Sequence, residues 1–381
     1  MLRVMIVGCG AIAPAHVEGY MKFPDICRIT ALANRSPARA DSLNARYGLD
    51  ARVVRDYRGA LEDVDVVSIC TPPGEHSRIA VDAAEAGCHA LIEKPMALSL
   101  AECDAVISSA RRNGTLVSVV AQSRFISGIR NAIAVAASGR FGRTLYSRVS
   151  SAWYRGSSYY DLSWRGRWEA EGGGCTLNHS IHHIDLLLWL KGIPKSLTSV
   201  IANLCHDNSE EEDFSSSVLS YGDGSIAEIT SSLVSHGEPQ YLSFQMERGG
   251  VTIPFAAYAS ASRVNGFPYP DDGRREEIES AFAELPALRF ENHDGQIANF
   301  LAAIAGDEEL VSGPEDGRRC IELITGVYKS GISGKRVFFP IVPDDVYYGG
   351  EWRGAAPRFH EKKRDIERFD DMTITDFKGK F

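Results

Sequence analysis

A glycine-spaced turn, Gly8-x-Gly10-x-x-Ala13, stands directly between an apolar run at residues 2–7 and a helical pattern reaching Met21, and it narrows sharply what this chain can fold into. The first glycine permits a tight turn, and the second lets backbone approach a pyrophosphate. A small residue at the third place lets helix and strand pack, with phosphates at the helix N-terminus. In a strand–turn–helix setting the spacing reads as a dinucleotide site; alone it would be weak. The setting continues. Strand patterns at 29–33, 64–70, 89–93 and 115–121 alternate with helical ones. Ser36-Pro37 opens one helix and Gly48 closes it, while Ser99 with Glu102 forms a capping box for another. Such alternation predicts a parallel sheet covered on both faces, over a domain of residues 1–121.

Beyond Gln122 the pattern changes. Alternating stretches at 144–153, 217–220, 226–231 and 241–247 predict a second α/β domain, residues 122–340, on a large open and mainly antiparallel sheet. Helices are expected at 295–305 and 317–330, and a helix at 178–189. Residues 341–381, of which 17 are charged, read as a tail, either hugging the surface or serving as an oligomer arm. The 381 residues suit two domains, and 44% hydrophobic content excludes wholesale disorder. No apolar run is long enough for a membrane helix, and none resembles a signal peptide, so a soluble, cytoplasmic protein is expected. A net charge of −9 argues against nucleic acid or anionic membrane as partner. The eight cysteines form no C-x-x-C pair and read as reduced, buried thiols.

The end of the second strand bears on which dinucleotide binds. An acid there would hold the ribose hydroxyls of NAD and repel a 2′-phosphate. This chain has Asn34-Arg35-Ser36, with Arg39 a turn later, which suits a 2′-phosphate through charge-assisted bonds. NADP is therefore the expected cofactor and NAD the alternative; otherwise the two arginines are solvated charges at a helix start.

Three further segments are Thr71-Pro72-Pro73 with His76, Glu93-Lys94-Pro95, and the run from Gly172-Gly173-Gly174 through Asn178, His182 and Asp185. Together with the glycine turn they resemble the Gfo/Idh/MocA family, which includes glucose–fructose oxidoreductase and inositol dehydrogenases. The resemblance runs from residue 1 to about 340. It implies a Rossmann domain, a second domain whose open sheet often mediates dimers or tetramers, and oxidoreduction of a sugar. It also implies a cofactor set of Gly8, Gly10, Ala11, Ile12, Asn34, Arg35, Ser36, Arg39, Thr71, Pro72, His76, Glu93, Lys94, Gln122, Trp164 and Arg165.

Lys94 follows a parallel strand's carboxyl end, where ligands of such sheets bind, so its ammonium can hold a substrate oxygen and help move its proton. The plainer reading is a surface salt bridge. His182 matches the family's catalytic histidine, with a pKa suited to proton exchange at a hydroxyl. Asp185 matches a position that binds hydroxyls or orients that histidine. On one helix Asn178, His182, Asp185 and Trp189 would share a polar stripe beside an apolar one of Leu177, Ile181, Ile184 and Leu188. A triple glycine ahead of it would permit close backbone approach in a pocket wall. The plainer alternative is a polar face bonded within the protein. Many family members have aspartate where this chain has Asn178, which alters any Lys–Asp–His relay and turns the expected substrate from inositols towards pyranosides, with C3 as the candidate carbon.

His179 and His183, at i and i+4, could hold a metal, but no acidic ligand is evident and no metal is expected. Trp153, Tyr154, Tyr159, Tyr160, Trp164 and Trp168 interleave with Arg155, Arg165 and Arg167. A sugar cleft fits this mix, with Trp153, Tyr154 and Arg165 on the substrate and Trp164-Arg165 near the cofactor; a packed loop is the alternative. Two other functions stay open: a glycosidase or lyase using a held cofactor for transient oxidation, and a sugar-sensing protein on the same scaffold.

Overall fold

The computed structural model of the chain describes residues 1–367 and 369. Near its start six strands pair in parallel: β1 (Leu2–Val7), β2 (Cys27–Ala33), β3 (Arg52–Val54), β4 (Val66–Ile69), β5 (His89–Ile92) and β6 (Val117–Val119). The connecting helices include α1 (Ala13–Met21), α2 (Pro37–Tyr47), α3 (His76–Glu85) and α4 (Leu100–Asn113). Strand order β3-β2-β1-β4-β5-β6 reverses between β1 and β4, and that switch point is where doubly wound sheets bind ligands. The capping box of α4 is made in full, and Gly48 and Gly114 close α2 and α4 in the left-handed conformation. Ser36 is the N-cap of α2, but its hydroxyl makes no capping bond.

The second compact unit begins with α5 (Ser127–Ala137) and β7 (Thr144–Ala152). Two helices follow, α6 (Cys175–Asn178) and α7 (Ile181–Lys191). Next come β8 (Ser196–Ala202), β9 (Phe214–Ser220), β10 (Ile226–Ser232), β11 (Tyr241–Met246), β12 (Gly249–Ile253) and β13 (Ala257–Tyr258). A ribbon of β14 (Ser260–Ser262) and β15 (Pro268–Pro270) leads to α8 (Asp272–Ala283). With a late strand, β16 (Val337–Phe338), the eight-stranded order is β13-β12-β11-β7-β10-β9-β8-β16. Among the described residues only β7 and β10 pair in parallel there. One sheet face packs on helices; the other leaves Val200, Val218, Ile226 and Tyr241 exposed around an Arg148–Glu228 pair.

The two units are not consecutive stretches of chain. α9 (Asn292–Ala305) folds with the first unit, where Ile297, Phe300 and Leu301 join the core of Val4, Ile6 and Val17. The first unit comprises residues 1–125, 288–321 and 348–350, so a division at 121 and 340 omits this return. α10 (Pro314–Ser333) carries the chain onward. Seven cysteines are buried and Cys205 is exposed, all free. Among the described residues no helix is long and apolar enough to cross a membrane.

Candidate active site

Gly8 sits at φ +95°, and a Cβ there would lie 2.7 Å from the carbonyl carbon and oxygen of Cys70, just past β4. The two strand ends at the switch point can meet only because this residue lacks a side chain. Gly10 differs, since nothing lies within 4 Å of its Cβ position, so the turn is open there. α1 starts beside it with no side-chain cap, at Ile12. The Asn34 amide brackets the turn, its Oδ1 accepting from the Cys9 amide (3.0 Å) and its Nδ2 donating to the Ser36 carbonyl (2.8 Å). Arg35 and Arg39 are exposed and form no ion pair among the described residues. Thr71 Oγ1, just past β4, and Gln122 Oε1, past β6, are buried without a protein partner among the described residues. An open cradle flanked by orphaned polar atoms fits a dinucleotide.

Two loops at this sheet edge are pinned from behind. The buried His76 ring lies between the carbonyls of Thr71 and Pro95, 2.7 Å from each. It ties the loop after β4 to the one after β5, a bracing role that differs from the direct cofactor contact expected of it. Burial pulls its pKa down, and the neutral ring has one N–H to donate to one of the two carbonyls. Glu93 is buried also. Its Oε1 accepts from His16 (3.0 Å) and His293 (3.2 Å), and its Oε2 accepts from the Lys94 amide (3.2 Å). Burial alone would raise this carboxyl, but the bonds from His16 and His293 outweigh that and hold it well below the usual range. His16 passes the contact on to Ser68 Oγ (2.7 Å). Three potential ligand atoms, from His16, Glu93 and His293, thus lie within 4.8 Å of one another. Their spacings are those of a hydrogen-bonded relay, which satisfies each group without an ion. Lys94 follows, half-buried, at the carboxyl end of β5.

In the second unit the expected helix at 178–189 is two. α6 ends at Asn178, and α7 starts at Ile181 after His179 and Ser180. Asn178 and His182 therefore do not share a continuous helical stripe. The Asn178 amide donates to the carbonyls of Gly173 (2.5 Å) and Gly174 (3.3 Å). The apolar stripe survives, with Leu177, Ile181, Ile184 and Leu188 all buried. His182 is half-buried in the first turn of α7, and Asp185, one turn on, is buried. Two of the three glycines serve packing. A Cβ on Gly173 would strike the Tyr328 hydroxyl, and one on Gly174 the Glu212 backbone carbonyl.

Part of the aromatic–basic cluster does assemble. Trp153 packs beside His179 and His183 at ring distances of 5.9 and 6.3 Å. The Arg165 guanidinium lies between the rings of Tyr159 (4.0 Å) and Trp164 (4.1 Å), with Nη1 on Glu171 (2.7 Å). Its buried Nε has no partner among the described residues. Arg155 reaches towards Trp153 and Tyr159 while bonding Glu238. Tyr154 turns away and stacks on His236 at 4.6 Å, because neighbours on an extended segment point to opposite sides. Tyr160 and Trp168 are core residues. His183 bonds Ser151 (2.8 Å), and burial takes its pKa down to about 3.

Beneath the cluster lies an acidic run that sequence reasoning passed over, Glu210 to Asp213, all buried. Glu212 accepts from the amides of Gly174 and Thr176 (3.0 Å each) and from Tyr328. Burial still pushes it up to about 7. Burial likewise raises Glu171 and Glu211, which face each other. The nearby Glu171 and Glu212 charges add to the effect of burial on Glu211, whose pKa lies well above the usual carboxyl range. No periodicity marks four consecutive acids as buried, so no sequence signal was available for them.

Two family models match the chain. One described as the oxidoreductase family, NAD-binding Rossmann fold, covers residues 2–121, and the GFO/IDH/MocA C-terminal domain covers residues 129–252. A 2,7-anhydro-N-acetylneuraminate hydratase of Mediterraneibacter gnavus is 26% identical over 68% of this chain and 69% of its own. An inositol 2-dehydrogenase of Rhizobium meliloti is 25% identical over 86% of this chain and 96% of its own. The WlbA dehydrogenase of Bordetella pertussis, solved with NADH and UDP-GlcNAcA, superposes with a TM-score of 0.78 at 26% identity, covering 90% of this chain and 98% of that one.

Proposed function

This chain belongs to the GFO/IDH/MocA family of NAD-binding oxidoreductases, and from that premise we propose that it moves a hydride between a nicotinamide cofactor and a secondary alcohol or ketone of a sugar or glycoside, with C3 of a pyranoside as the carbon. The observation that carries the reading is Lys94, set past β5 at the sheet edge that bears the open Gly8–Gly10 turn, with its neighbour Glu93 fixed on both oxygens. A bound nicotinamide cofactor supplies or accepts the hydride. Lys94 holds the substrate oxygen, and His182 takes the hydroxyl proton in oxidation and returns it in reduction. Asp185 orients His182 or a neighbouring hydroxyl. Trp153 and Arg165 line the sugar side, and Trp164 the cofactor side. Arg35, Arg39 and the uncapped Ser36 favour NADP, although the WlbA dehydrogenase was solved with NADH. The pyranoside assignment draws support from Asn178 and from that relative's sugar-nucleotide ligand.

The exposed apolar residues of the eight-stranded sheet support assembly as a homodimer or homotetramer through that face. A second reading is favoured by the hydratase relative: transient oxidation with a retained cofactor, ending in bond cleavage or hydration. The test is reduced-nicotinamide absorbance after mixing the protein with NADP or NAD and a panel of pyranosides and polyols. Net reduction with at least one sugar is the expected result. Product cleavage with no net reduction would transfer the assignment to the second reading.

A further inference from the structure

The segment between a short 3-10 turn, Ser157–Asp161, and α6 carries Trp164 and Arg165 but has no regular structure of its own, so its backbone carbonyls need partners from elsewhere. The charged C-terminal stretch provides them. The Lys362 ammonium, with a side chain only 2% exposed, donates to the carbonyls of Tyr160, Leu162 (3.0 Å) and Arg165 (2.9 Å). An ammonium has three protons, and here all three meet carbonyls that flank the Trp164–Arg165 turn. Such a burial is costly unless every donor is met, as it is here.

The backbone around Lys362 is stitched down as well. Ile366 donates to the Asp161 carbonyl (2.8 Å) and accepts from the Ser163 amide (2.9 Å), a short parallel β-bridge. Asn208 Oδ1 accepts from the amides of Lys363 (2.6 Å) and Arg364 (2.9 Å). Its Nδ2 donates back to the Tyr160 carbonyl (2.9 Å). Arg167 pairs with Asp365 (2.6 Å), and Arg364 with Asp161 (2.9 Å). A tail that served only to cover apolar surface would have no need of a buried cation aimed at three carbonyls of one loop.

We propose that Lys362 is a positioning residue for the sugar ligand: through the carbonyls of Tyr160, Leu162 and Arg165 it fixes the Tyr159–Arg165–Trp164 stack, making residues 362–366 a working part of the substrate-binding half. The proposal rests on the sugar-oxidoreductase reading above for the identity of the ligand, but its structural half does not.

The experiment uses full-length Lys362→Ala and, as a milder surface change that removes one strap donor, Ile366→Pro. Hydrogen exchange is followed across residues 159–171, alongside cofactor Kd, sugar KM and kcat. Both variants should exchange faster at Ser163, Arg165 and Gly166 while the six-stranded sheet keeps its protection. Sugar KM should rise about tenfold or more with kcat within about threefold, because uniform binding has been lost, and cofactor Kd should rise by less than sugar KM. Propylammonium added to Lys362→Ala should restore KM in part, which a general loss of stability would not allow. Unchanged exchange in both variants overturns the proposal, as does faster exchange with unchanged KM. If the wild type turns over no sugar, the oxidoreductase reading fails first, and unaltered loop exchange remains the separate result that removes the strap.

Discussion

Glu93 offers its carboxylate to two imidazoles and to the amide of Lys94, so the residue before the lysine is anchored from three directions. His76 braces the loop again one residue beyond, at the Pro95 carbonyl. A lysine held this way loses little freedom when it meets a substrate oxygen, and that is where positioning contributes to rate. Lys94→Met should therefore cut turnover by about a hundredfold or more while leaving NADP affinity within about threefold, measured by steady-state kinetics and fluorescence titration. Retained turnover would remove the lysine from the chemistry. Arg35 makes a different kind of contribution, since its guanidinium, without an ion pair among the described residues, acts on what binds beside it. Arg35→Ala should weaken NADP by about tenfold or more, the worth of one charge-assisted bond, and NAD by less than about twofold. Equal losses for the two cofactors would show that no phosphate is met there.

At the scale of elements, the glycines divide by what surrounds them. A Cβ at Gly10 meets open space, whereas at Gly174 it would collide with the Glu212 carbonyl. Gly10→Ala should keep its melting temperature and lose dinucleotide affinity by about tenfold, because the methyl enters the path of the pyrophosphate. Gly174→Ala should instead destabilise the fold by about 3 kcal/mol or more, seen as a lower urea midpoint, because backbone must move. The contrast explains what was legible beforehand. Gly8-x-Gly10 sits between two unmistakable elements, and the apolar runs of β1, β4 and β5 could be read because strands buried on both faces carry little else. The triple glycine looked similar but has its cause in Tyr328 and Glu212, far along the chain and invisible to local pattern. The break between α6 and α7 was hidden for a related reason. Leu177, Ile181 and Ile184 keep helical spacing straight through His179 and Ser180, so nothing in the stripe marks the interruption. β3 was missed because three residues are too few to show a period.

Over the whole molecule, pattern says that α9 must bury an apolar face but not that it returns to the first unit, and it says nothing of acids hidden together. Those buried ionisable groups pull stability in opposite directions as pH changes. Burial raises Glu171 and Glu211 above 4.5 and Glu212 to about 7. A carboxyl raised on folding holds its proton more tightly when folded, so its contribution is complete below 4.5 and is lost as pH rises through the folded value. Burial lowers His16 and His76 below 6.5 and takes His183 to about 3. Their contribution is complete above 6.5 and is lost as pH falls towards those folded values. The opposed slopes place maximum stability on the acid side of neutrality. Glu211→Gln isolates one of them. Its amide keeps the shape of the acid, yet it has no proton to lose when pH rises. At pH 5 the variant should match the wild type, and at about pH 8 it should be more stable by at least about 1 kcal/mol, with its optimum shifted upward. Urea unfolding at both pH values decides the matter: a variant destabilised equally at each would mean that position 211 makes no pH-dependent contribution between them.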